Sequence, residues 1–278
     1  MPTFATLCSC IALSMAIYAP ACPAAEITLD KDGAGSVVRL SGTITPGDAD
    51  KLLALVKAHR WRASRLSLDS HGGNVLESLK LAQIVQKTAM FTEVRPDHVC
   101  ASACFFVFLG GYLRYASGSE YMAAPERRAA VATSTGVMPK GYVGVHRPFE
   151  PALGSPENSQ LVLMRAVVDY LDRQLIPRRI TDAMMSRPSN DIYWLSSEDL
   201  DDIGEHPPQI EEYLIQRCNY DRNRSKRMAA AIESGKAAEY QELNSADAKA
   251  SQCLTDERAK LHEAGLKQIQ AGWRPKAP

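Results

Sequence analysis

Three short stretches hold side chains whose types and spacing could support acyl-transfer chemistry. Cys100-Ala101-Ser102-Ala103-Cys104 sets a serine among small residues, directly before the apolar run Phe105-Phe106-Val107-Phe108-Leu109. A serine in that position starts a helix. The N–H groups of a helix's first turn lack intrahelical acceptors and can stabilise an oxyanion. Gly144-Val145-His146-Arg147-Pro148 places a histidine at the end of a hydrophobic strand, at a sheet edge. Asp69-Ser70-His71-Gly72-Gly73 follows another strand, and its paired glycines let the backbone turn sharply and present N–H groups to a ligand. Taken singly, each has an ordinary explanation: a helix-capping serine, a loop histidine, a turn. A serine needs an adjacent base, itself oriented by a third group, to act as a nucleophile. Of the six histidines, His59 and His262 lie on charged helical stretches and read as solvated, and His206, before two prolines, reads as loop. His71 and His98 lie close to the first two segments and stay in consideration.

The elements that must position these residues alternate. Val37 to Gly42 reads as a strand and leads through Thr45-Pro46-Gly47-Asp48 into a helix carrying Leu52, Leu53, Leu55 and Val56. Arg65 to Asp69 alternates as a strand. A helical stripe of Val75, Leu79, Ala82, Val85 and Ala89 follows, and Phe91 to Val94 is a third strand. This rhythm predicts an α/β fold with a parallel sheet covered by helices. Residues 115–140, rich in Ala, Ser, Gly and Arg, read as a surface insertion. Gly141 to His146 is a strand. Ser159 to Leu175 is an amphipathic helix with Leu161, Met164, Val168, Leu171 and Leu175 on one face. Ile192 to Leu195 is a short strand, and Ser196 with Asp199 caps the next helix. After Pro207-Pro208 the chain becomes charged, Ala-rich and helical, which reads as a solvated helical cap.

The bulk numbers bound the function. The 278 residues are 45% hydrophobic, enough for one substantial core with an appendage. The 32 basic and 32 acidic residues cancel, so nothing points to a nucleic-acid partner. Met1 to Ala25 carries no charged residue. An apolar stretch from Ile11 to Tyr18 precedes the small-residue run Ala21-Cys22-Pro23-Ala24-Ala25, as in a secretory signal, although the usual early Lys or Arg is missing. The expectation is export to a periplasm or beyond, with residues 1–25 removed; retention of that segment as an N-terminal membrane anchor is the alternative. Export leaves Cys100, Cys104, Cys218 and Cys253. Their grouping suggests two local disulfides in an oxidising compartment, while three pairings stay open on sequence alone.

In this order, the segments resemble the proteolytic subunit of the Clp protease and its relatives in the Clp/crotonase superfamily. That family has an Asn-Ser-Pro-Gly-Gly turn, a nucleophile serine between small residues, a strand ending in His-x-Pro and an Asp-x-x-x-Leu-Ser segment. The matching stretches here are Asp69 to Gly73, Cys100 to Ala103, His146-Arg147-Pro148 and Asp191-Ile192-Tyr193-Trp194-Leu195-Ser196. The resemblance covers about residues 36–206. It implies a spiral of β-β-α units over residues 26–207 with a helical extension at 208–278. It also implies Ser102 as nucleophile, His146 as general base and Asp191 as the orienting carboxylate. Gly73 and Ala103 would supply the oxyanion-hole N–H groups, with Gly72 shaping the turn. Such a protein is a serine peptidase of peptides or unfolded chains that uses neither metal nor cofactor, and relatives often form homo-oligomeric rings. Cys104 stands where the family has Gly, and His71 where it has Pro. If Cys100 and Cys104 were bridged, they would clamp the nucleophile turn and make activity redox-dependent. The competing expectation is a non-catalytic Clp-like domain used for binding or assembly.

Overall fold

The computed structural model describes residues 24–32, 35–117, 141–149 and 157–276. Residues 1–23 of the expected leader (1–25) and residues 118–140 of the expected insertion (115–140) lie outside the described residues. Ala24 and Ala25 pair with Thr43, and Ala25 N donates to Thr43 O at 2.7 Å.

Strand β1 (Glu26–Asp32) and β2 (Gly35–Ser41) form an antiparallel pair. Helix α1 (Asp48–His59) and a 3-10 turn lead to β3 (Arg65–Asp69). Helix α2 (Val75–Lys87), β4 (Phe91–Val94), β5 (Val99–Ala101), α3 (Ala103–Leu109) and β6 (Leu113–Ala116) follow. The five-stranded sheet runs β1-β2-β3-β4-β6, parallel from β2 onward. Parallel strands need crossover connections, which α1, α2 and α3 supply. Tyr115 and Ala116 therefore belong to β6 rather than to an insertion: β6 carries the sheet one strand past the last that periodicity marked.

A second sheet of three strands sets β5 beside β7 (Tyr142–Val145), parallel, and β7 beside β8 (Tyr193–Trp194), antiparallel. The two sheets meet where Ser70, just after β3, bridges Cys100 of β5. The core fills with Leu40, Leu66, Leu68, Leu52, Ile84 and every side chain of α3. Buried Glu77 of α2 fixes α1, since its Oε1 accepts from Gly47 N at 3.0 Å and Ala49 N at 2.8 Å.

Helix α4 (Glu157–Arg173) spans nearly the expected range but turns a different face inward. Leu163, Val167, Tyr170 and Leu171 are buried, whereas Leu161 is 67% exposed and Leu175, beyond the helix, 71%. The stripe read from the sequence is coherent on a 3.6-residue helix but lies about 100° around it from the face that docks, so of its positions only Leu171 is buried. Helices α5 (Arg178–Ser186) and α6 (Ser197–Ile203) follow. A Ser196–Asp199 capping box starts α6 as the sequence predicts.

The C-terminal segment holds α7 (Pro208–Cys218), α8 (Arg224–Glu233) and α9 (Ala237–Gln270). It is docked rather than merely solvated: Leu266 and Ile269 join the main core, and Cys218 is bridged to Cys253. His262, expected in solvent, is fully buried, and its Nδ1 meets the Thr88 carbonyl at the end of α2. His206 is buried too, its Nδ1 2.5 Å from Tyr112 O. A charged helix can bury a polar ring where a neighbouring helix end supplies an unpaired carbonyl. Among the described residues no helix is long and apolar enough to cross a membrane.

Candidate active site

The turn after β3 is assembled by Ser70. Its N donates to Val99 O at 2.6 Å, and Ala101 N donates to its carbonyl at 2.9 Å, which hangs β5 on the end of β3. The Ser70 hydroxyl donates to Gly42 O at 2.5 Å and accepts from Gly72 N at 3.1 Å, so the glycine pair is held from both sides. Asp69 Oδ1 accepts from Val99 N at 3.2 Å. A serine two residues before a glycine is a recognisable turn-forming signal. Its structural role here is larger than the sequence reading assigned.

Gly72 and Gly73 both have positive φ, 102° and 139°. Ile44 N donates to Gly72 O at 2.8 Å and Asn74 N to Ile44 O at 2.8 Å. These bonds use the groups flanking Gly73 and turn its own N–H away from Ile44. A Cβ on Gly72 would lie 2.7 Å from Ser102 Cβ, 2.7 Å from the Ala101 carbonyl oxygen and 2.8 Å from Ala103 N. Gly72 is therefore packed against the serine, and only a residue without a side chain fits.

Ser102 joins β5 to α3 with φ 55° and ψ −124°. A non-glycine residue held there costs on the order of 1–3 kcal/mol, and such conformations cluster at functional sites. The chain turns from strand to helix within this residue: Ser102 N donates to Gly144 O at 2.9 Å and Phe105 N to Ser102 O at 3.0 Å. The hydroxyl caps nothing and stays half-buried. Among the described residues, neither Gly73 N–H nor Ala103 N–H has a hydrogen-bond acceptor. The Ala103 amide next to the strained serine and the Gly73 amide in the turn that packs against it are thus both unpaired. The seven residues of α3 make a short helix, so the local N–H groups matter more than any macrodipole.

His146 follows β7, which pairs with β5 in the register Cys100 with Val143 and Ala101 with Gly144. One more step of that register sets Ser102 beside Val145, next to His146. The imidazole is 8% exposed, and its Nδ1 lies 3.0 Å from Arg147 O. Nδ1 can approach that carbonyl only as a donor, which leaves Nε2 as the unprotonated nitrogen of the neutral ring. No hydrogen bond joins Ser102 to His146 among the described residues.

Asp191 is placed differently from its expected role. Its carboxylate, 48% exposed, accepts from Arg187 Nη1 at 2.6 Å, and among the described residues no bond joins it to His146. Arg187 O in turn accepts from Arg147 N at 3.1 Å, so this loop supports the histidine segment through backbone. His71 is exposed at the glycine turn, and His98 is half-buried just before β5. Cys100 and Cys104 form a disulfide that brackets Ser102. No cluster suited to a metal ion occurs among the described residues.

Neither the protein-family models nor the curated proteins contain a match to this chain. Among solved structures it is similar to a mutant of the 1510-N membrane-bound stomatin-specific protease, at 16% identity over 59% of this chain and 72% of that one, with a TM-score of 0.38. A likeness that loose assigns no residue.

Proposed function

We propose that this chain is an exported serine hydrolase of peptides or unfolded polypeptides, with Ser102 as nucleophile and His146 as general base. The observation that carries the reading is the strained backbone of Ser102, pressed against Gly72, with the unpaired N–H groups of Ala103 next to it and of Gly73 in the adjoining turn. Strain at a serine beside free amides suits a hydroxyl that must attack a carbonyl and an oxyanion that must be received. His146 Nε2 takes the Ser102 proton as Oγ attacks, and returns it to the leaving amine; water then releases the acyl group by the same route. The Arg147 carbonyl orients the imidazole in the required tautomer. Asp191 steadies Arg187 rather than the ring. Catalytic hydrogen bonds are often long before substrate binds and tighten with it. The crossover of β5 from one sheet to the other beside the glycine turn supports a Clp/crotonase-like spiral for residues 26–207. Two disulfides favour an oxidising compartment, consistent with export.

A fluorophosphonate probe tests this. Wild-type protein should be labelled covalently and Ser102→Ala should not. His146→Ala should slow turnover about 10³- to 10⁴-fold with folding intact, whereas Asp191→Asn should stay within about ten-fold of wild type. A 10⁴-fold loss in Asp191→Asn would restore a carboxylate triad, and retained activity in His146→Ala with loss in His71→Ala would move the base. The unbonded Ser102 and His146 favour one other reading, a non-catalytic binding or assembly domain. Absence of labelling in folded, oxidised protein would select it.

A further inference from the structure

The bridge between Cys100 and Cys104 closes a ring of five residues with Ser102 at its centre. Their Cα atoms are 5.1 Å apart, although one lies in β5 and the other in the first turn of α3. Four extended residues would span about 13 Å, so a turn must fall between the cysteines. The turn falls on Ser102, at a φ of 55°. Three backbone bonds act on the same point: Ser102 N to Gly144 O, Ala101 N to Ser70 O and Phe105 N to Ser102 O. Both cysteines are fully buried, Cys104 on a helix whose every side chain is buried. A bridge so enclosed is out of reach of a reductant in the native state, which argues against a freely operated redox switch.

We propose that the Cys100–Cys104 disulfide is a positioning clamp that holds Ser102 in its strained conformation, and that Cys218–Cys253 is its opposite, a staple of the fold with no bearing on the site. The clamp rests on the hydrolase reading only for its consequence in rate; its effect on backbone stands apart from it. Residues in sparsely populated backbone wells persist only where their surroundings over-determine them. With the bridge gone, Ser102 is free to relax, the turn that sets its hydroxyl opens, and the packing against Gly72 loosens. The ring is small, so its removal takes little loop entropy from global stability. The Cys218–Cys253 ring encloses 35 residues of separation and should matter more to melting.

Two double variants of the full chain test this, Cys100→Ala with Cys104→Ala and Cys218→Ala with Cys253→Ala. Each is read by fluorophosphonate labelling rate and by hydrogen exchange at the Ser102 and Phe105 amides. In the first, labelling should slow and exchange should accelerate by about ten-fold or more, as expected when a strained well is released. In the second, melting temperature should fall with labelling and exchange within about two-fold of wild type. Wild-type labelling and exchange in the first variant would overturn the clamp. Accelerated exchange in a chain whose wild type is never labelled would keep the clamp and reject the hydrolase. If the alanine pair does not fold, Cys100→Val with Cys104→Ala restores most of the buried volume. Failure of that pair as well, while the Cys218/Cys253 variant folds, would make the bridge a general folding element and overturn the proposal.

Discussion

Gly72 is the residue on which the site's geometry turns. Its φ of 102° disfavours any side chain, and the space a Cβ would take is held by Ser102 Cβ, the Ala101 carbonyl and Ala103 N. All three are parts of the nucleophile turn, so relief must come from moving Ser102. Gly72→Ala is therefore expected to abolish fluorophosphonate labelling, to at least about 10²-fold, while lowering stability only by the few kcal/mol typical of overpacking and a positive-φ clash. Labelling at the wild-type rate would show that the turn accommodates a methyl group without disturbing the serine. At this scale the sequence was legible where a residue type is demanded by backbone shape: the glycine pair, and a serine hemmed in by alanines. It was not legible for Asp191. A carboxylate four residues after Arg187 finds that guanidinium by local spacing alone, whatever the role of the motif around it.

Elements show the same contrast between local and long-range information. The strands β2, β3, β4 and β7 and the helices α1 and α2 fall where alternation and helical stripes put them, because each carries its own apolar pattern within a few residues of sequence. Helix α4 had the right extent and a wrongly chosen face, since two apolar stripes compete on it and only docking selects Leu163, Val167 and Tyr170. Helix α9 was read as solvated because its burial is narrow and depends on a distant partner. Its closest approach is Gly265, where a Cβ would lie 1.9 Å from the Lys87 carbonyl at the end of α2. Gly265→Ala must then push α9 off α2. The expected result is a loss of about 1–3 kcal/mol, read as a fall of several degrees in melting temperature, with labelling of Ser102 nearly unchanged. Equal loss of labelling would tie α9 to the site.

For the molecule as a whole, acid should act first on the seam between the C-terminal helices and the body. Burial pushes the His206 imidazole down to about 4, and it also lowers His262. Both rings are neutral in the folded state and would take up a proton more readily once unfolded. The unfolded chain thus binds more protons between its own value near 6.5 and the folded value. Stability from His206 is complete above about pH 6.5 and is lost as pH falls toward 4, by no more than about 3 kcal/mol. Burial raises Glu205, whose carboxyl therefore acts in the opposite direction and reduces the net slope. Denaturation midpoints measured between pH 7 and 4 should decline with pH, and His206→Gln should flatten the decline. An unchanged slope in that variant would place the acid sensitivity elsewhere. None of this was visible in the sequence, where His206 and His262 are single polar residues far from the carbonyls they meet.

The seam between β6 and β7 has a different consequence. Gly141 N donates to Ser117 O at 2.8 Å, and Ser117 N to Val94 O at 2.9 Å, so residues 117 and 141 meet beside the end of β4. A Cβ on Gly141 would lie 2.3 Å from Val94 O, which pins Gly141 to the sheet. Because residues 117 and 141 are both tied to Val94, the number of residues between them in sequence does not set the register of β6 or β7. Insertions or deletions in the sequence between these two positions are therefore expected to leave both strands in place.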